Sequence, residues 1–283
     1  MIMKAMMLVL ALDYLLGFRL LRIFIILTII AVVHSTAIFL CANELHSSYI
    51  YNKVELIDTN KSGLNSISNL EENSSIESNF IVATAKGSRA EIIDKTSIWR
   101  LGSLSVGRWI SKDDFWLHSG SVLFCSKKNR EIKLSTSKSM AIFRGRGTII
   151  IESTINGGFK FIPLEAKGTI STLKGGTKKL TSGRMILVLG IPSYFGNAYD
   201  IDIMLMLKSS RLINSFPDPL PTFEKIGLAI YIQDLKLKGK YDALIGDATS
   251  NDNLQLWRFG EGNKENTKTT NKKGFFSRIF SSE

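Results

Sequence analysis

Thr148-Ile-Ile-Ile-Glu-Ser-Thr-Ile-Asn-Gly-Gly-Phe-Lys-Phe-Ile-Pro163 is the stretch that decides the fold class. Two short apolar runs, Thr148–Ser153 and Phe159–Pro163, flank Asn156-Gly157-Gly158. Asn-Gly and Gly-Gly supply the positive φ angles that tight turns demand. The same texture runs outward from Phe80 to Leu189: apolar runs alternate with Gly, Ser and Lys every 8–12 residues or so, the mark of an all-β architecture. The spacing predicts strands at Phe80–Thr84, Ser88–Ile93, Ser97–Leu101, Phe115–Leu117, Ser121–Cys125, Glu131–Thr136, Met140–Arg144, Thr148–Ser153, Phe159–Pro163, Gly168–Leu173, Lys178–Leu180 and Arg184–Leu189. Lys86-Gly87, Ser119-Gly120, Arg146-Gly147, Lys174-Gly175-Gly176 and Ser182-Gly183 read as the turns between them.

Toward the C-terminus the pattern becomes helical. Asp200 is positioned to cap a helix over Ile201–Ile213, Pro217-Asp-Pro-Leu-Pro221 is a stiff connector, and Thr222 is positioned to cap a second helix from Phe223 to Leu235. Phe223, Ile226 and Ile230 share one face of it. Residues 191–246 are therefore expected to be a helical extension packed on a β domain of residues 80–190. Residues 247–283 are expected to form a mobile basic tail. It ends in Lys272-Lys-Gly-Phe-Phe-Ser-Arg-Ile-Phe280, a basic and aromatic piece suited to an anionic membrane surface or a partner.

Toward the N-terminus, residues 43–79 are rich in Ser and Asn, and they read as a flexible spacer too poor in apolar surface to offset its ordering entropy. Before it, Arg19 and Arg22 precede the apolar run Ile23–Val33, which continues from Ala37 to Ala42. Residues 1–42 read either as a signal peptide, with small residues at Ser35 and Ala37 for cleavage, or as a signal anchor, since Ile23–Ala42 would make about 30 Å of helix. Both readings put the N-terminus in the cytoplasm and all that follows outside, in the periplasm or at the cell surface. Ile38-Phe-Leu-Cys41 has the outline of a lipoprotein cleavage box, but Leu40 stands where a small residue is needed.

Composition narrows the chemistry. The 283 residues carry 36 Lys and Arg against 25 Asp and Glu, a net +11, spread along the chain rather than gathered on one helix. Dispersed charge of this kind favours solubility and loose association with anionic surfaces over specific nucleic-acid binding. Two cysteines are too few for a disulfide scaffold or a four-cysteine zinc site. Cys125 lies within a predicted strand and reads as a buried, inert thiol. His118 stands alone beside Asp113-Asp114, and Asp200 and Asp202 flank a helix start, where they offset the dipole. No nucleophile elbow, phosphate-binding loop, metalloprotease motif or Cys-x-x-Cys occurs. No catalytic, cofactor-binding or metal-ligating residue is nominated, and no cofactor is expected. Trp99, Trp109, Trp116 and Tyr194 are the candidate interaction aromatics. They offer either a stacking platform for a glycan or, since such rings hide so much area, core.

The strand order itself is informative. Phe80-Ile-Val-Ala-Thr-Ala-Lys-Gly-Ser-Arg-Ala-Glu-Ile92, Trp99-Arg-Leu-Gly-Ser-Leu-Ser105, Leu117-His-Ser-Gly-Ser-Val-Leu123, Phe143-Arg-Gly-Arg-Gly-Thr148 and Leu180-Thr-Ser-Gly-Arg-Met-Ile-Leu-Val188 together resemble a FecR-type domain over about residues 80–190. The resemblance implies a mainly β fold, a FecR-like β-solenoid or β-sandwich-like domain, here with two C-terminal covering helices and an N-terminal membrane or signal helix. It implies a non-enzymatic, exported envelope protein that contacts an unidentified envelope protein, with an exposed sheet edge as the natural surface. A carbohydrate- or cell-wall-binding module is the alternative. The best-known members relay a transporter signal to a cytoplasmic sigma-factor-binding domain. That domain has no counterpart in this sequence, which argues against direct control of a sigma factor or of iron uptake.

Overall fold

The computed structural model describes residues 45–237 and two further strands, 242–245 and 255–258. The protein is mainly β, with a few helices toward the C-terminus. Three long strands dominate: β10 (Ser121–Ser135), β11 (Met140–Ser153) and β12 (Phe159–Thr172), paired antiparallel in sequence order. β14 (Arg184–Leu189) and β15 (Tyr194–Asp200) extend the sheet beyond β12, and β13 (Gly176–Lys179) adds to the far end of β12.

One predicted turn is a bend instead, and expected strands merge. Met140–Arg144 and Thr148–Ser153 form one strand through Arg146-Gly147, and Phe159–Pro163 runs on through Gly168. Glycine within a strand marks close backbone approach as readily as a turn. A Cβ on Gly145 would lie 2.1 Å from the Lys167 carbonyl oxygen, and one on Gly168 would lie 2.1 Å from that of Arg144. The two backbones therefore pass each other only because Gly145 and Gly168 face one another in the ladder. A register shift between Ser126 and Arg130 bends β10 at the same level.

The bend splits the sheet. The first part of β10 pairs through Val122–Ser126 with β7 (Ser97–Leu101), which continues to β6 (Arg89–Ile93) and β1 (Leu45–Tyr51). The second part pairs through Lys133–Ser135, in parallel, with β9 (Asp114–Ser119). From there the path runs to β8 (Val106–Ser111), β5 (Phe80–Thr84), β2 (Val54–Asp58) and β3 (Ile67–Asn69). Rings from the two branches meet between them. Trp99 of β7 stands 5.8 Å from Trp109 of β8 and 4.9 Å from Phe115 of β9. Phe124, Phe143 and Phe161 prolong the aromatic line across β10, β11 and β12.

Residues 43–79 are a correction to the expected spacer. Residues 45–79 supply β1, β2, β3 and β4 (Ser75–Ile76) to the sheet. Four of their apolar residues land inward: Leu45, Val54, Leu70 and Ile76 join the aromatic core. The polar ones close the loops. Ser47 Oγ donates to the Glu71 carbonyl at 2.5 Å and accepts from the Ser74 amide at 3.0 Å. An edge strand draws its backbone bonds from a sheet that already exists, so low apolar content is no bar to order. β8 was missed because Gly107 breaks its pattern. That glycine leaves the room the Phe115 ring occupies, since a Cβ there would lie 2.6 Å from the ring.

The other face of β10–β12 lies under helices. α1 (Ile203–Ser209), α2 (Arg211–Asn214) and α3 (Phe223–Leu237) bring Ile203, Met206, Leu212, Ile226 and Ile230 onto Leu123, Cys125, Ile150, Ile162 and Leu164. The single helix expected over Ile201–Ile213 is two, broken at Ser210. Its cap is Asp202, which accepts from the Leu205 amide at 2.9 Å, and not Asp200, which pairs with Arg184 at 3.1 Å. The short strands β16 (Asp242–Ile245) and β17 (Gln255–Arg258) form a separate antiparallel hairpin. Among the described residues, no helix is long and apolar enough to cross a membrane.

Candidate functional site

Arg100 ties the helical cover to the sheet. It follows Trp99 on β7, so its side chain takes the opposite face and reaches the cover. It is fully buried, and its Nε donates to Glu91 Oε2 at 2.7 Å. Its remaining donors reach the carbonyls of Ile213 at 3.2 Å, Leu212 at 3.4 Å and Asp218 at 2.5 Å. The guanidinium lies 4.4 Å from the centroid of Phe216. Five N–H donors in a rigid fork let one side chain hold both a carboxylate and the end of α2. Farther along the seam the Thr222 hydroxyl turns to the Thr148 hydroxyl and to Cys125 Sγ, the latter at 3.5 Å, instead of capping α3. Burial pushes the Cys125 thiol pKa up, which keeps it an unreactive thiol.

The cover is apolar on both sides. Ile226, Ala229 and Ile230 of α3 pack inward. Leu228, Tyr231, Ile232 and Leu235 point outward and are 59%, 51%, 41% and 61% exposed. Their i, i+3, i+4, i+7 spacing makes one continuous stripe. Beside it, between α3 and β12, lies a cavity of about 450 Å³ lined by Leu228, Ile232, Leu180, Lys225, Lys167 and Glu165 among others. Glu165 Oε2 is buried with no hydrogen-bond partner. Burial raises its pKa, against the pull of Lys225, Lys167 and Arg146. Asp200, also at the cavity, is matched by Arg184, so Lys167 and Lys225 are the cations left to meet an outside charge.

The four aromatics singled out in the sequence form no common exposed platform. Trp99 and Trp109 are 0% and 1% exposed and belong to the core, so neither can stack on a sugar. Trp116 is half-buried on β9 beside His118, and Tyr194 is exposed on β15, at opposite ends of the path β15-β14-β12-β11-β10-β9. Arg19, Arg22, Ile23, Val33, Ala37 and Ala42 lie outside the described residues, as do Cys41 and the basic end of the tail. Among the described residues, no three His, Cys, Asp or Glu gather where they could hold a metal ion. Sequence reasoning missed Arg100, Glu165 and the outward stripe. Only the stripe left a readable signal, the second apolar period in Leu228–Leu235.

No family model, curated protein or solved structure matches the chain.

Proposed function

We propose that this chain is an exported, non-enzymatic envelope protein. In this reading its FecR-like β domain holds up a helical cover, and the cover receives an acidic amphipathic helix of a partner protein. The exposed stripe Leu228, Tyr231, Ile232 and Leu235 beside the cavity carries the reading. A helix laid in a groove is read through anchors at this spacing, and charges at the rim choose the partner. Lys167 and Lys225 at the cavity favour a partner's carboxylates. Of the free sheet edges, β3 and β4 are three and two residues long, and short edges discourage strand addition, which leaves the seven-residue β15 as the longer edge that competes with the stripe. The glycan alternative loses its main support with the burial of Trp99 and Trp109. Export rests on Arg19 and Arg22 before the apolar run, and an enzymatic reporter that works only outside the cytoplasm, fused after residue 45, tests it directly.

The binding test uses two synthetic helices with the same leucine face, one flanked by Glu and one by Lys. The full chain should bind the acidic helix about tenfold more tightly. Leu228→Glu with Ile232→Glu should abolish that binding while the fold, followed by circular dichroism, is kept. Equal affinity for both helices, binding indifferent to the double change, or self-association through this face in sedimentation would each overturn the reading.

A further inference from the structure

A second hollow lies on the other side of the seam, away from the α3 stripe. It measures about 320 Å³ and is walled by Lys86, Ser88, Arg89, Ser103, Arg211 and Phe216, with Gly87, Gly102 and Leu212 completing the lining. Three parts of the chain build it. Lys86-Gly87-Ser88-Arg89 is the turn into β6, Gly102-Ser103 lies just after β7, and Arg211, Leu212 and Phe216 belong to α2 and the connector after it.

We propose that this hollow binds a phosphate group carried on a small apolar body. Three cations line it, and no carboxylate does among the described residues. Ser88 is buried, and its hydroxyl has no hydrogen-bond partner. Arg89 Nε is buried and likewise unpartnered, while its guanidinium rests 4.0 Å from the centroid of the Tyr51 ring. Unmet donors of this kind are uncommon in a finished interior and call for an acceptor. The turn leaves the hollow open: Gly87 has φ +74°, and nothing lies within 4 Å of where its Cβ would stand. Its amide is already taken by Ser103 Oγ at 2.8 Å, so the side chains are left to make the site.

The donor set favours phosphate over carboxylate. Donors approach from the β6 turn on one side and from Arg211 on the other. A tetrahedral dianion presents oxygens to both, whereas a planar carboxylate faces one way. The hollow is larger than the anion alone requires, and Leu212 and Phe216 wall the remainder, which sets an apolar body beside the phosphate. Such a group can come from a soluble phosphate monoester or from a phospholipid headgroup.

Calorimetric titration of the full chain distinguishes these sources. The probes are phenyl phosphate, benzoate, and vesicles of phosphatidylcholine with and without phosphatidic acid. Phenyl phosphate should bind saturably and about tenfold more tightly than benzoate, because charge-assisted bonds to the dianion are the stronger set. Arg211→Gln should weaken phenyl phosphate about tenfold. Arg211 is exposed and its side chain holds nothing in the fold, so this variant should melt like the parent. Ser88→Ala, which removes an unpartnered hydroxyl, should weaken binding about threefold without loss of stability. Vesicle binding that needs phosphatidic acid and falls with Arg211→Gln would identify the headgroup as the source. Binding of the soluble ester alone would identify a free monoester. No saturable binding of either phosphate, preference for benzoate, or binding unchanged in Arg211→Gln would overturn the proposal.

Discussion

On the inner face of β10–β12, Phe124, Phe143 and Phe161 line up with Trp99, Trp109 and Phe115 from the two sheet branches. On the outer face, one residue out of register, Leu123, Cys125, Ile150 and Ile162 meet helices. The inner face is closed by the two sheet branches and by rings packed against one another, Trp99 on Trp109 edge to face. The outer face is closed by aliphatic contacts and by one buried arginine that binds the ends of the helical layer. The first arrangement stores its stability in contacts that form only with the whole sheet. The second hangs on a few polar anchors, and it leaves an apolar stripe facing out. Surfaces that bind are drawn from layers of this second kind, because they can yield locally without unfolding the rest.

The sharpest break in this comparison is Trp99→Ala. It empties the meeting point of the two branches and should cost about 3–5 kcal/mol, as a large-to-small change in a sealed core does. Chemical denaturation should show the whole β signal lost in one earlier transition. Arg100→Ala comes next, at about 3 kcal/mol, because it strands the buried Glu91 carboxylate and three carbonyls. Its signature differs from that of Trp99→Ala: hydrogen exchange should rise first over residues 203–237 and only later in β10–β12. Uniform loss of protection in both variants would show that the cover is not a separate layer.

Acid should act on the two sides in opposite directions. Asp94, in the turn between β6 and β7, is penalised by burial. The Thr96 amide and hydroxyl and Arg130 outweigh that and hold its pKa below the usual carboxylate value. Its folded pKa is lowered, so its contribution is full above the unfolded value and is lost as pH falls through the folded one. Glu165 is the reverse. The folded chain keeps its proton to a higher pH than the unfolded chain, so stability declines as pH rises from the unfolded to the folded pKa. Asp94→Asn should therefore destabilise at neutral pH, with the deficit shrinking in acid. Glu165→Gln should stabilise at neutral pH, with the gain vanishing below the ordinary glutamate range. Melting temperatures of both variants across pH check the two signs together. The smallest effect belongs to Leu228→Ser, within about 0.5 kcal/mol, because the side chain is mostly exposed. A large loss there would mean that the stripe is already covered in the native protein.

Much of this was legible in advance, and the failures have physical causes. Phe80–Thr84, Ser97–Leu101 and Arg184–Leu189 match their observed strands because alternation and flanking breakers agree locally. Arg146-Gly147 reads as a turn and is a bend within β11, because a glycine says that a Cβ is not tolerated, and not whether the obstacle is its own turn or a neighbouring strand. Residues 43–79 read as a spacer because composition measures how much apolar surface a segment carries, whereas a strand added to a sheet needs only a few inward residues and a free ladder beside it. In the candidate site, the Leu228–Leu235 period could be read from the sequence, but its exposure could not. Which of two apolar faces of α3 turns outward depends on what the sheet offers beneath it.

By itself, then, the order of residues determined a mainly β chain with helices following it, since period, turn chemistry and capping act between near neighbours. It also supplied Arg100 and the Lys86–Arg89 turn as residues without a stated purpose. Only the folded arrangement decided that Arg100 clasps residues more than a hundred positions away, that Trp99 and Trp109 are sealed inside, and that three cations share one hollow. Those outcomes rest on contacts between distant segments, whose geometry no local pattern encodes.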